Sequence, residues 1–200
     1  MTRPRLTRRA AAAAAALALS TAAVAAAAGP QFDGPTIANP SPAPLFTLRD
    51  QDGQTVSLSH QRGRVVLLTF LYTHCPDVCP LTAARLNAVL AALGSQRTRV
   101  RVLAISVDPA GDTPAAVQRF VREHRLLPQF RYLTGPPATL KLLWARYGVR
   151  SLKQAGGDRV DHTLYTLLLD RTLRGRVLFD ATATITEITH DTRLLLATRS

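Results

Sequence analysis

Apolar positions in this chain fall into three patterns, and each predicts a different kind of element. Continuous apolar runs from Val65 to Leu71 and from Val100 to Val107 have the form of strands buried on both faces. Helical spacing makes the second pattern. Leu86, Val89, Leu90 and Leu93 fall at i, i+3, i+4 and i+7, with Gly94 as the stop. Val117, Phe120, Val121 and His124 repeat that spacing behind Asp112-Thr113-Pro114, a capped start with proline inside the first turn. Leu140, Leu143, Trp144 and Tyr147 form another such face, which ends at Gly148. Short paired runs make the third pattern. Leu45–Leu48 and Val56–Leu58 flank Asp50-Gln51-Asp52-Gly53, a hairpin with a glycine turn. Leu164–Leu169 and Arg176–Phe179 flank the turn at Arg174-Gly175, and Thr184 with Glu187 supplies a capping box for a last helix through about Leu196.

In chain order this reads as a hairpin, then β-α-β-α, then α-β-β-α, without internal repeats. Alternating strands and helices followed by an antiparallel pair are the outline of a thioredoxin fold. The expected architecture is therefore α/β: a thioredoxin-like domain over residues 45–200, with an N-terminal β-hairpin extension and a mixed central sheet. Residues 30–44 hold five prolines and few aliphatics, which predicts a linker.

Residues 1–29 lie outside this pattern. Arg3, Arg5, Arg8 and Arg9 precede an uncharged stretch from Ala10 to Ala28, which closes on Ala26-Ala27-Ala28. Basic, apolar and small residues in that order predict an export signal, or an N-terminal membrane anchor if it is not cleaved. The stretch is long enough to span a bilayer but is mostly alanine, hence only weakly hydrophobic. In either case the remainder is expected in the periplasm, soluble after cleavage or tethered to the inner membrane.

The formal charge of +12 overstates the basicity of the exported part. Without the four N-terminal arginines, 21 basic residues face 13 acidic ones and leave +8. These arginines are scattered over every predicted element, with no run and no interleaved aromatics, whereas a nucleic-acid footprint is clustered. A nucleic-acid partner is therefore not expected. The charge reads as a solvated surface with affinity for acidic partners or anionic lipid.

Two cysteines in the whole chain, Cys75 and Cys79, stand four residues apart. A disulfide closing so short a loop stabilises little, which favours chemistry over structure. The pair follows a predicted buried strand and leads into a predicted helix. A helix start supplies free amides and a partial positive charge, both of which favour thiolate. Residues at i and i+4 share a helical face, so both sulfurs are able to address one object, a metal ion or an oxidised partner. A helical turn would set the two Cα atoms about 6 Å apart, which also permits a disulfide.

Phe70-Leu71-Tyr72-Thr73-His74-Cys75-Pro76-Asp77-Val78-Cys79-Pro80 resembles the signature of the Sco (SenC-like) family of copper chaperones. Ser106-Val107-Asp108-Pro109 with Asp112-Thr113-Pro114, and Val160-Asp161-His162-Thr163 before a strand ending at Asp170, resemble its second and third blocks. The resemblance spans about residues 45–180. It implies a thioredoxin-like fold and copper, as Cu(I), Cu(II) or both. It also implies a metallochaperone that delivers the metal to the binuclear copper site of cytochrome c oxidase. The implied partners are the apo-oxidase copper-site subunit and other copper donors or acceptors.

The third ligand expected is His162. Thioredoxin-type reductases usually present a cis-proline to their cysteines just before the antiparallel strand, and here that junction reads Val160-Asp161-His162-Thr163-Leu164. An imidazole at that place would face the two sulfurs. Two thiolates and one imidazole form a soft, three-coordinate set suited to Cu(I); Cu(II) needs a further oxygen or nitrogen donor, and zinc usually a fourth ligand. Asp161 is a candidate to orient the imidazole. Asp77 is expected to shape the loop by bonding helix amides, and His74 to flank the site without binding metal. His60, His124 and His190 read as surface or helix-end residues, and Trp144 and Tyr147 as core.

The metal set expected is thus Cys75, Cys79 and His162, with Cys75 and Cys79 also the candidates for redox catalysis. The alternative function is a thiol–disulfide oxidoreductase acting on the cysteines of a copper-site client. A thiol peroxidase is disfavoured, since it would want a proline seven residues before the cysteine, where Leu68 stands.

Overall fold

The computed structural model describes residues 31–153 and 160–198. The stretch read as an export signal or anchor, residues 1–29, lies outside them. Among the described residues no helix is long and apolar enough to cross a membrane.

The strands are β1 (Thr47–Arg49), β2 (Thr55–Ser57), β3 (Val65–Leu71), β4 (Val100–Ser106), β5 (Phe130–Leu133), β6 (Ser151–Lys153), β7 (Val160–His162), β8 (Thr166–Leu169) and β9 (Gly175–Phe179). The helices are α1 (Val78–Ala92), α2 (Pro114–Glu123), α3 (Pro137–Arg146) and α4 (Ile185–Ala197). Five strands form the central sheet in the order β5-β4-β3-β8-β9. β3, β4 and β5 run parallel, while β8 and β9 are antiparallel to their neighbours. The expected mixed, thioredoxin-like sheet is therefore present.

Burial explains the central strand. All seven residues of β3 are buried, so a run without polar alternation fits a strand covered on both faces. Thr69, the one polar side chain in it, donates its hydroxyl to the Tyr165 carbonyl at 2.8 Å. α1 and α4 pack together over the sheet. Trp144 and Tyr147 on the other helical layer belong to the core, as expected. Trp144 donates to the Ser106 carbonyl at 2.9 Å, and the Tyr147 ring lies 5.7 Å from that of Phe70.

The local signals set the helix ends. Thr113 accepts from the amide of Ala116, and Thr184 and Glu187 form both halves of a capping box. Gly94 and Gly148 follow α1 and α3 with φ of +56° and +67°, the left-handed conformation that ends a helix.

Two features depart from expectation. The sheet edge β5 and the β6–β7 hairpin carry weak sequence signals, because each has only three or four residues. The proline-rich stretch expected to be a linker is docked. Ile37 donates to the Arg176 carbonyl at 2.8 Å and Leu178 to the Pro35 carbonyl at 3.0 Å. Farther along, Ala43 donates to the Leu173 carbonyl at 2.9 Å. Proline is tolerated beside an edge strand because that position asks for few amide donors, and the segment shields β9 from other chains. Its start is clamped by the buried Asp191 carboxylate, which accepts from the amides of Asp33 and Gly34 at 2.8 and 3.0 Å.

Candidate functional site

Leaving β3 at Leu71, the chain turns through the two cysteines before α1 begins at Val78. Cys75 is 7% exposed and Cys79 is fully buried, and both are free thiols. Cys79 is the second residue of α1, one position inside the helix start that the sequence placed just after it. Asp77 is the N-cap residue, yet its side chain makes no capping bond. The Cys75 sulfur accepts the Cys79 amide instead, at 3.4 Å. The expected bonding of Asp77 to helix amides is therefore corrected: the sulfur acts as cap because it lies over the amides while Asp77 is turned to solvent.

This placement separates the two thiols in acidity. The Cys75 thiol is pulled down to about 5, chiefly by a hydrogen bond from the Cys79 thiol, with help from the amides of Asp77 and Cys79 and the Tyr72 hydroxyl, against the effect of burial. The Cys79 thiol is pushed far up, because it is the donor in that sulfur–sulfur bond and is buried. The pair thus holds one proton, on Cys79, beside a thiolate at Cys75. Burial also raises the Tyr72 hydroxyl, with the nearby sulfurs adding to the effect.

His162 reaches the same place from the far end of the sequence. It is the last residue of β7, which pairs with β6 through Ser151↔His162. Its Nε2 lies 3.8 Å from the Cys79 sulfur, and its Nδ1 lies 3.1 Å from the Thr163 carbonyl. A carbonyl only accepts, so Nδ1 carries the proton and Nε2 keeps its lone pair toward the sulfur. Burial lowers the imidazole pKa, opposed by that carbonyl and by the charges of Cys75 and Asp161. Thr163 O thus provides the orienting bond to Nδ1, while Asp161 acts on the ring through its charge. Tyr72 joins the two halves of the site. Its ring meets the His162 ring edge-on at 5.7 Å, and its hydroxyl accepts from the Val160 amide at 3.4 Å. Tyr72, Cys75, Asp77, Val160, Asp161 and His162 line a cleft of about 210 Å³.

Beneath the cysteine loop lies a buried polar platform that the sequence pattern did not disclose. Asp112 is read there as part of a helix start and of the second sequence block, with no supporting role for the cysteines. Its carboxylate, 3% exposed, accepts from the Thr73 amide at 2.7 Å, the Ser106 hydroxyl at 2.5 Å and the Tyr132 hydroxyl at 3.0 Å. Burial pushes this carboxyl above its ordinary range, with the three donors opposing. Ser106 ends β4 and Tyr132 lies in β5, so the second sequence block and the sheet edge hold the cysteine loop from below. The apolar–polar alternation of Phe130-Arg131-Tyr132-Leu133 was the one available signal for Tyr132.

The remaining histidines stand apart from the cleft. His74 is exposed, with Nδ1 3.2 Å from the Thr73 hydroxyl. His60 is exposed, and His124 lies against the Phe120 ring at 4.3 Å. His190 sits between Asp33 and Asp191 at 3.2 and 2.9 Å, three side chains that together clamp the N-terminal segment. A larger cavity of about 420 Å³, beside the proline-rich segment, is lined mainly by apolar groups and by neither cysteine.

Comparison with known proteins identifies relatives of this sequence and fold. Protein SenC of Rhodobacter capsulatus is 33% identical over 142 residues, covering 70% of this chain and 63% of that one. The structure of Bradyrhizobium japonicum ScoI with copper bound superposes with a TM-score of 0.68 at 33% identity, covering 76% of this chain and 98% of that one. BsSco, described as a member of the Sco family of cytochrome c oxidase assembly proteins with a disulfide switch, superposes with a TM-score of 0.69 at 25% identity, covering 82% and 99%. The chain spans less than two thirds of the length of the curated relatives it matches. The SCO1/SenC family pattern extends over residues 36–197, from the docked N-terminal segment to the last helix, and the chain belongs to that family.

Proposed function

We propose that this chain is an exported metallochaperone that binds copper through Cys75, Cys79 and His162 and delivers it to the binuclear copper site of cytochrome c oxidase. The observation that carries the reading is the approach of His162 Nε2 to within 3.8 Å of the Cys79 sulfur, above two thiols that hold a single proton. The donor set fits the cargo: two sulfurs and a neutral imidazole are soft ligands for Cu(I), and a further oxygen or nitrogen donor completes a Cu(II) site. The copper held by B. japonicum ScoI supports the same reading.

Each residue has a distinct task. Cys75 already offers a thiolate, and Cys79 gives up its proton to the solvent as the ion enters. His162 is half-buried while both sulfurs are buried, so exchange with a ligand of the apo-oxidase subunit begins at the imidazole. Periplasmic placement rests on residues 1–29 acting as a signal or an anchor.

A second reading has its own observation. A Cys75 thiol at about 5 is a thiolate at neutral pH, as a thiol–disulfide oxidoreductase requires. Cys75 would attack a client disulfide and displace one client thiolate. Cys79 would then attack the mixed disulfide, leaving a Cys75–Cys79 disulfide and a reduced client.

Anaerobic Cu(I) titration of the chain and of His162→Ala separates the two. Loss of a direct ligand is expected to weaken Cu(I) binding by more than about 100-fold, beyond the range seen for groups that only support a ligand. Reduction of a client disulfide should persist in this variant. Unchanged Cu(I) affinity would remove His162 from the site.

A further inference from the structure

Away from the cysteines, one cavity gathers three arginines against a single carboxylate. It has a volume of about 280 Å³ and is lined by Asp50, Gln54, Gln61, Arg64, Arg101 and Arg131, with Val56. The three arginines are far apart in sequence and meet only in the fold. Arg64 immediately precedes β3, and Arg101 and Arg131 are the second residues of β4 and β5. Arg131 stands in register with Leu103, and residues 101 and 103 point to one face of the sheet, so Arg101 and Arg131 share that face.

The charges are unequally matched. Arg131 is held by the Asp50 carboxylate at 3.2 Å and by Asp52 at 2.9 Å. Among the described residues, the side chains of Arg64 and Arg101 have neither a carboxylate nor a hydrogen-bond partner. Burial lowers the Arg101 pKa, and Arg64 and Arg131 lower it further by repulsion. Like charges in a half-buried concavity raise the energy of the folded state unless a counter-charge enters. Guanidinium groups present paired N–H donors that match the oxygens of a phosphate or carboxylate. A single carboxylate would be satisfied by one such fork. Two unpartnered forks beside a third, anchored one ask for a group with more oxygens. The lining also includes Gln61, whose Oε1 is buried without a partner.

We propose that Arg64, Arg101 and Arg131 form a binding site for a phosphate group, at the end of the sheet opposite Cys75 and Cys79. The seven residues of β3 separate the two ends by about 20 Å, so this site does not depend on the copper reading. The phosphate is either the free anion or the headgroup of an anionic phospholipid, and the two share the chemistry that the arginines recognise.

The test uses the full chain in low-salt, phosphate-free buffer. Inorganic phosphate is titrated by calorimetry and thermal melting, and flotation with phosphatidylglycerol vesicles is compared with phosphatidylcholine. The wild type is compared with Arg64→Gln/Arg101→Gln and with the charge-matched control Arg119→Gln/Arg122→Gln, whose residues are exposed on α2. Either inorganic phosphate or phosphatidylglycerol vesicles should bind the wild type and the control, with affinity at least about tenfold lower in the pocket variant, the loss typical of one charge-assisted contact. Saturable binding of inorganic phosphate assigns the free anion; vesicle binding without it assigns the headgroup. The pocket variant should melt no lower than the wild type before phosphate is added, because it has lost the repulsion. Arg101→Lys, which keeps the charge and loses the fork, should also bind more weakly. Equal binding by the pocket variant, equal loss in the control, or no binding of either probe by the wild type would overturn the proposal.

Discussion

The sharpest consequence of the site is the pH profile of Cys75. Its sulfur takes hydrogen bonds from the Cys79 thiol and from backbone amides, which bring its pKa to about 5. At pH 7 that makes about 99% thiolate, against about 3% for an unperturbed cysteine near 8.5, a gain of roughly 30-fold. Intrinsic nucleophilicity falls with pKa at a Brønsted slope of about 0.4–0.5, so a shift of about 3.5 units costs roughly 25- to 55-fold. The two effects nearly cancel at pH 7, and the rate there says little. At pH 5.5 they do not cancel. Cys75 is still mostly ionised while a free thiol is about 0.1% ionised, so Cys75 should react roughly 10- to 30-fold faster than free cysteine before any slowing by burial. The assay is iodoacetamide alkylation of the reduced chain between pH 4 and 9, with the site read by peptide mass. A midpoint near 5 is expected. Cys79→Ala removes the largest cause and should raise the midpoint by at least about one unit, while Cys79→Ser keeps a hydroxyl donor and should raise it less. A wild-type midpoint of 8 or above would refute the shared-proton description.

The same proton accounting predicts that Cu(I) binding at pH 7 releases about one proton per ion, from Cys79, because Cys75 is ionised and His162 is neutral. Release of two, measured in weakly buffered solution, would contradict it. For stability, the folded Cys75 pKa lies below the unfolded one. Its contribution is therefore present above the unfolded pKa and lost as pH falls through about 5, and Cys75→Ser should abolish that limb of the unfolding curve. Asp112→Ala strands the buried donors of Thr73, Ser106 and Tyr132 and should cost about 3–5 kcal/mol in denaturant melts. Asp112 has the opposite sign of shift, so the stability of the wild type relative to Asp112→Asn should fall as pH rises through the raised carboxyl pKa. Asp191→Ala removes the acceptor of the Asp33 and Gly34 amides and should cost about 1–3 kcal/mol, with faster proteolysis within residues 31–44.

Much of the fold was legible because its elements carry local signals. The unbroken run of β3, the Thr113 and Thr184 caps, and the glycines after α1 and α3 each state their structure within a few residues. The strand Phe130–Leu133 and the β6–β7 hairpin were not legible. Such short elements are held by pairing with β4 and with each other, and their own propensity adds little. The proline-rich segment misled for a related reason: its composition describes a chain with little to bury, but its docking is decided by β9 and Asp191.

The site divides along the same line. Spacing placed Cys75 and Cys79 at a helix start, and the junction 160–164, which has histidine and no proline, pointed to His162. What the sequence by itself determined were thus the donors and the elements that carry them, since both are local properties of the chain. The tertiary structure alone decided which sulfur holds the proton, because that depends on the contact between the two sulfurs, on their burial, on the amides above Cys75 and on Tyr72. It also turned Asp112 from a helix start into the support of the cysteine loop. The arginines show the same division most plainly. Along the sequence Arg64, Arg101 and Arg131 belong to a scattered, solvated charge, and parallel pairing of β3, β4 and β5 converges them on one cavity. Electrostatic interaction depends on distance through space, and only the fold sets that distance.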